Sequence, residues 1–217
     1  MERAANFDPL VRIYRALEWI AFGGDLERAR FTLLDRLADR QSILILGEGD
    51  GRCLARLLEL APTARIHCLD ASAAMLDRAE TRIAGTGTRE RVTFERANAL
   101  EAKFPALTYD AVVTLFFLDC FVTEQVEELI RRITPSLQPR ALWLFADFVL
   151  PDRGLARVRA QVWLAGLYAF FRWQTGLRTH ALPPSEQLIE NAGFRRVESR
   201  TLQCGLLRTT LFARAGM

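Results

Sequence analysis

The chain has 217 residues, half of them hydrophobic and a quarter charged, which suits one soluble globular core. Its net charge of +3 is carried almost wholly by arginine, since Lys103 is the one lysine, and no dense basic run marks a nucleic-acid surface. Cys53, Cys68, Cys120 and Cys204 form no C-x-x-C pair and neither His67 nor His180 stands at ligand spacing from them, which argues against a zinc site. No apolar leader or membrane-length apolar run is seen, so the expectation is a reduced, cytoplasmic protein without stable membrane insertion.

The first forty residues read as a helical cap. Asp8-Pro9 is a helix-start signal, followed by Leu10, Ile13, Leu17 and Ile20 at helical spacing. Gly23-Gly24 breaks that pattern, and Asp25 is set to cap a second helix carrying Leu26, Ala29, Leu33 and Leu37. Strand and helix then alternate: strand 42–46, helix 52–60, strand 64–69, helix 72–83, strands 92–96 and 109–117, helix 123–137 and strand 141–148. Such alternation predicts a doubly wound α/β fold whose mostly parallel sheet is covered on both faces. An aromatic-rich helical stretch spans 154–173. Pro183-Pro184-Ser185 opens a further helix that Gly193 stops, and runs 196–202 and 206–213 form a closing hairpin about Gln203-Cys204-Gly205. That gives seven strands in a single domain, 1–217. Within it, 1–40 is the N-terminal helical cap, 41–150 the alternating core, 151–195 a helical segment and 196–217 the antiparallel hairpin.

Ligands of open parallel sheets bind beyond the C-terminal strand ends, and four such ends here carry suitable chemistry. The first is the glycine turn Gly47-Glu48-Gly49-Asp50-Gly51. The second is Asp70, which stands where an acid commonly accepts ribose hydroxyls. Asn98-Ala99 offers an oxygen and an N–H to an adenine edge, and the carbonyls ending strand 109–117 can hold an ammonium. A dinucleotide site wants G-x-G-x-x-G; Arg52 occupies its last glycine position, and the third glycine comes one residue early, at Gly51.

Leu46-Gly47-Glu48-Gly49-Asp50-Gly51-Arg52 and Leu69-Asp70-Ala71-Ser72-Ala73-Ala74-Met75-Leu76 together resemble the class I S-adenosylmethionine-dependent methyltransferases. The closing hairpin fits that fold, and the likeness covers roughly residues 40 to 213. The resemblance implies S-adenosylmethionine as methyl donor, with S-adenosylhomocysteine as product. It implies that Gly47, Glu48, Gly49 and Gly51 lie along the methionine and ribose, and that Asp70 holds the ribose hydroxyls beside Ala71. Ser72 would cap the next helix, Met75 would pack near the adenine, Asn98 and Ala99 would bracket its edge, and Leu115 and Phe116 would line the methionine end. Two positions depart from the family pattern: Ile45 stands where an acid is common, and Asn98 where Asp is more frequent.

The acceptor is expected to be a small molecule, lipophilic or aromatic, with O-, C- and N-methylation all open. Asp119, just past the fourth strand, is the candidate to orient it or take its proton; capping the following helix is the competing role. Tyr14, Trp19, Phe148, Trp163 and His180 complete the expected acceptor pocket. Arginines at 157, 159 and 172 around the aromatic segment are compatible with weak membrane-surface contact. A nicotinamide-dependent oxidoreductase and a non-catalytic cofactor-binding scaffold are the alternatives.

Overall fold

The computed structural model describes residues 24–149 and 182–215, apart from the side chain of Cys204. The predicted first helix, the aromatic segment 154–173 and the pocket residues Tyr14, Trp19, Trp163 and His180 lie outside the described residues.

The strands are β1 (Ser42–Leu46), β2 (Arg65–Asp70), β3 (Val92–Arg96), β4 (Tyr109–Leu115), β5 (Leu137–Phe148), β6 (Phe194–Leu202) and β7 (Leu207–Arg214). They form one seven-stranded sheet in the order β3-β2-β1-β4-β5-β7-β6. β1 to β5 pair in parallel, whereas β7 runs antiparallel between β5 and β6. The expected doubly wound sheet with its antiparallel closing hairpin is thus the fold. Strand order reverses at β1, which pairs with β2 on one side and β4 on the other, so the crevice beyond Leu46 and Leu115 is the switch point.

The helices are α1 (Asp25–Phe31), α2 (Arg52–Leu60), α3 (Ala73–Ile83), α4 (Thr123–Ile133) and α5 (Ser185–Asn191). Period-two alternation in β1 sends Ile43 and Ile45 to one face, with Leu54 and Leu57 of α2 and Ala79 and Ile83 of α3. Leu44 and Leu46 go to the other, with Val126, Leu129, Ile130 and Ile133 of α4 and Ile189 of α5. Both faces are therefore covered, which is why β1 reads as a continuous apolar run.

Several expected boundaries move: β4 stops at Leu115 rather than at 117, β6 starts at Phe194 rather than at 196, and four others have an evident local reason. Gly24, not Asp25, is the N-cap of α1, and Asp25 is its first residue, where its charge suits the helix N-terminus. The helix stops at Phe31 because Leu33 turns left-handed (φ 67°); Leu34–Leu37 continues as a 3₁₀ turn that still buries Leu34 and Leu37. Helix α4 ends at Ile133, where Pro135 enters another short 3₁₀ turn. β5 starts four residues early, at Leu137. Its pairing with β4 is irregular between Tyr109 and Ala111, around Pro139 and a left-handed Arg140, so the sequence there looks like a turn.

Candidate active site

The glycine loop follows β1, and each glycine has its own reason. All three have positive φ: 69°, 69° and 85° for Gly47, Gly49 and Gly51. A Cβ on Gly47 would stand 2.2 Å from Phe117 Cδ2, and one on Gly51 would stand 2.5 Å from Ala79 Cα of α3. The outer two thus let packed groups approach the backbone. At Gly49 a Cβ would meet nothing within 4 Å: this is the open face of the loop, where a ligand can lie against bare backbone. Asp50 anchors the loop from behind, accepting from Arg52 Nε (2.9 Å) and Arg82 Nη2 (3.1 Å).

Asp70 closes β2 beside that open face. Its Oδ2 accepts the Gly49 N–H at 3.3 Å and its Oδ1 the Ser72 N–H at 2.9 Å, so the carboxylate is held in place between loop and helix. Ser72 is the N-cap of α3 and accepts the Met75 N–H at 3.2 Å, as its position implies. Ala71 is exposed at the rim, and Met75 is buried beneath. Asn98 and Ala99 follow β3. Asn98 Oδ1 accepts the Leu100 N–H (3.1 Å) and Nδ2 donates to Glu101 Oε1 (3.1 Å), so this side chain already builds the turn after β3. Ala99 is buried in the core.

Glu48 has a partner that the sequence does not announce. Gly51 caps α2 without a side chain, and Glu48 Oε1 supplies the missing acceptor to the Leu54 N–H at 2.9 Å. Its Oε2 is buried without a hydrogen-bond partner. Burial, opposed by the Leu54 hydrogen bond, pushes this carboxyl up to about 8. At neutral pH Glu48 is therefore protonated.

The end of β4 forms the other wall. Leu115 is buried; Phe116 is left-handed (φ 54°) and still donates its N–H to Ala146 O at 2.7 Å. Its ring packs against Phe148 with centroids 5.3 Å apart, and Phe117 meets Phe121 at 5.1 Å. Arg30 of α1 lies over the Phe116 ring at 5.4 Å. Asp119 sits in the 3₁₀ turn Leu118–Cys120, and burial raises its carboxyl to about 6. Its backbone N–H donates to Asp147 Oδ2 at 3.1 Å, and Asp147 Oδ1 accepts the Phe148 N–H at 2.8 Å. Asp147 is only 3% exposed, and burial with the Asp119 charge drives it well above the ordinary carboxylate range.

The structure thus gathers the glycine loop, Asp70, Ser72, Leu115, Phe116, Asp119 and Phe148 at neighbouring strand ends. Sequence reasoning missed Arg30, Phe117 and Asp147. The signal for Asp147 was present, as the one acid inside the apolar run of β5. His67 lies deeper on β2, its Nδ1 2.7 Å from Tyr109 Oη, in a structural role. Among the described residues, no group of three or more His, Cys, Asp or Glu side chains is placed to hold a metal ion, and no helix is long and apolar enough to cross a membrane.

Residues 43–140 match the family model described as "Methyltransferase domain". This segment, from β1 into β5 and just under half of the chain, is similar to that methyltransferase domain, in line with the resemblance the two motifs carry. Solved structures with the same fold include the S-adenosylmethionine-dependent methyltransferase SibL, with 21% identity and TM-score 0.68 over 93% of this chain and 57% of that one. The mitomycin 7-O-methyltransferase MmcR aligns with 18% identity and TM-score 0.67 over 97% of this chain and 61% of that one. The N-methyltransferase NodS from Bradyrhizobium japonicum aligns with 17% identity and TM-score 0.60 over 88% and 97% of the two chains. The chain spans about three fifths of the length of SibL and MmcR. No curated protein matches it in sequence.

Proposed function

We propose that the chain transfers the methyl group of S-adenosylmethionine to a small lipophilic or aromatic acceptor. The observation that carries this reading is the Asp70 carboxylate, fixed by Gly49 and Ser72 N–H groups next to the open backbone of Gly49 at the switch point of the sheet. That acceptor-rich corner suits a ribose diol, and the bare loop beside it suits the methionine portion. Gly47 and Gly51 keep the loop in shape, Leu115 and Phe116 border the methionine end, and Met75 and Ala99 form the apolar floor toward the adenine. Asn98 contributes by fixing the loop after β3. Glu48, neutral at pH 7, preserves the start of α2.

The bound cofactor supplies an activated sulfonium methyl, so the protein's task is chiefly orientation and exclusion of water. The rings of Phe116, Phe148, Phe117 and Phe121 support an apolar acceptor, and Asp119 lies in the turn between Phe117 and Phe121 as a titratable group. Tyr14, Trp19, Trp163 and His180 are proposed to close the acceptor side from the segments before α1 and after β5. No basic run supports a nucleic-acid partner, and contact with a membrane surface through the arginine-flanked aromatic segment is a subsidiary proposal. Incubation with methyl-labelled S-adenosylmethionine and a panel of phenols, quinols and amines tests the function. Label is expected in an organic-soluble product. Cofactor binding without transfer to any of the panel would favour a scaffold role.

A further inference from the structure

Each residue of the loop after β1 is held from a different side, and the tie made by Glu48 is the one that depends on a buried proton. Phe117 leans on Gly47, Asp70 accepts the Gly49 N–H, Arg52 and Arg82 hold Asp50, and Ala79 abuts Gly51. Glu48 reaches forward to α2: its Oε1 accepts the Leu54 N–H at 2.9 Å, where Gly51 as N-cap offers no side chain. This bond fastens the loop to the first turn of the helix. Among the described residues Oε2 has no hydrogen-bond partner, and the residue is only 9% exposed. The charged and titratable groups around the carboxyl come from four elements. Arg30 of α1 is the cation, Asp50 of the loop and Asp70 of β2 are acids, and Cys53 of α2 and Cys68 of β2 are buried thiols. A carboxylate there would set two acids against one arginine and leave a bare charged oxygen out of water. The uncharged acid keeps the Leu54 bond without that cost, and burial raises the carboxyl to about 8 in agreement.

We propose that Glu48 is a positioning residue for the cofactor: it acts through α2 rather than by contact, and the chain binds adenosyl compounds well only while Glu48 carries its proton. The inference rests on the methyl-transfer reading above and goes beyond it. The protonated side chain seats the start of α2 against the loop, so that Gly49 keeps its open face and its N–H on Asp70. Ionisation puts an uncompensated charge in the core. The side chain escapes by leaving Leu54 for water, and the loop loses its hold on the helix. A cofactor must then restore that order, so its apparent affinity falls with the fraction of molecules still competent. The proton is bound below the midpoint and lost above it. Affinity is therefore full in acid and neutral solution and declines in alkali, and above the midpoint each binding event takes up a proton.

Titration calorimetry of the full chain with S-adenosylhomocysteine tests this on wild type, Glu48→Gln and Glu48→Ala, at about pH 6.5 and about pH 9, one on each side of the midpoint. At the lower pH Glu48→Ala should bind about tenfold more weakly than wild type, because the Leu54 N–H has lost its acceptor. Glu48→Gln keeps that acceptor and should restore most of the affinity. Going to the higher pH should weaken wild type about tenfold relative to Glu48→Gln, a comparison that cancels the titration of the ligand's own amino group. At the higher pH, runs in two buffers of different ionisation heat should show wild type taking up about one proton more per ligand bound than Glu48→Gln. A purely structural role for Glu48 would not move that proton count. If Glu48→Ala fails to fold, wild type and Glu48→Gln decide alone. Affinities of those two that run parallel with pH, with equal proton uptake, would overturn the inference. No binding of S-adenosylhomocysteine by wild type at the lower pH would instead defeat the methyl-transfer reading on which it rests.

Discussion

Replacing Glu48 by Gln should make the protein's stability much less dependent on pH. Glu48 is buried, bonded through one oxygen to the Leu54 N–H, and holds its proton up to about pH 8, against 4.5 for the free side chain. Between those values the unfolded chain binds fewer protons than the folded one, so stability is full at low pH and is lost as pH rises. For one group with those two values, the loss between pH 5.5 and 8.5 comes to about 3 kcal/mol. Glutamine keeps the carbonyl acceptor for Leu54 and cannot ionise. Urea melts of both proteins at the two pH values isolate the effect, because every other titrating group is shared. The gap between wild type and variant should shift by about 3 kcal/mol in favour of the variant at pH 8.5, roughly 1 M in urea midpoint. Parallel pH profiles for the two proteins would refute a buried, neutral Glu48.

Gly51→Ala adds a Cβ 2.5 Å from the α3 backbone at φ 85°, and should cost about 3 kcal/mol, seen as a Tm fall of about 6–12 °C. Asp70→Ala should weaken S-adenosylhomocysteine binding about 10- to 100-fold in calorimetry, with a smaller loss of stability from the freed Gly49 and Ser72 N–H groups. Trp143 is fully buried, and its indole N–H donates to Thr114 Oγ1 at 2.9 Å; Thr114→Val should cost about 2 kcal/mol by leaving that donor unpaired, measured by chemical denaturation.

Local sequence signals carried the half of the site proposed to hold the cofactor. β1, α2 and β3 run over the expected residues, because an apolar run ending in glycines and a sharply amphipathic helix leave few alternatives. Ser72 caps α3 because a serine before an apolar helix has one inexpensive task. The half proposed to face the acceptor depends on register, which one strand's sequence does not encode. That Asp147 Oδ2 meets the Asp119 N–H follows from parallel pairing of β4 with β5, 28 residues apart in the chain. The bond from Glu48 to α2 was hidden for a different reason: the motif suggests a ligand, and the vacancy at the Gly51 cap is visible only once the helix is folded. Arg30 reaches Phe116 from outside the motif altogether.

The central claim is a sulfonium-cofactor site built on Gly49 and Asp70. Titration calorimetry of the full chain with S-adenosylmethionine, S-adenosylhomocysteine and NAD tests it most directly. Both adenosyl compounds should bind at one site with micromolar dissociation constants, about −8 kcal/mol, and NAD should give no heat of binding. Tight binding of NAD with no response to either adenosyl compound would contradict the account.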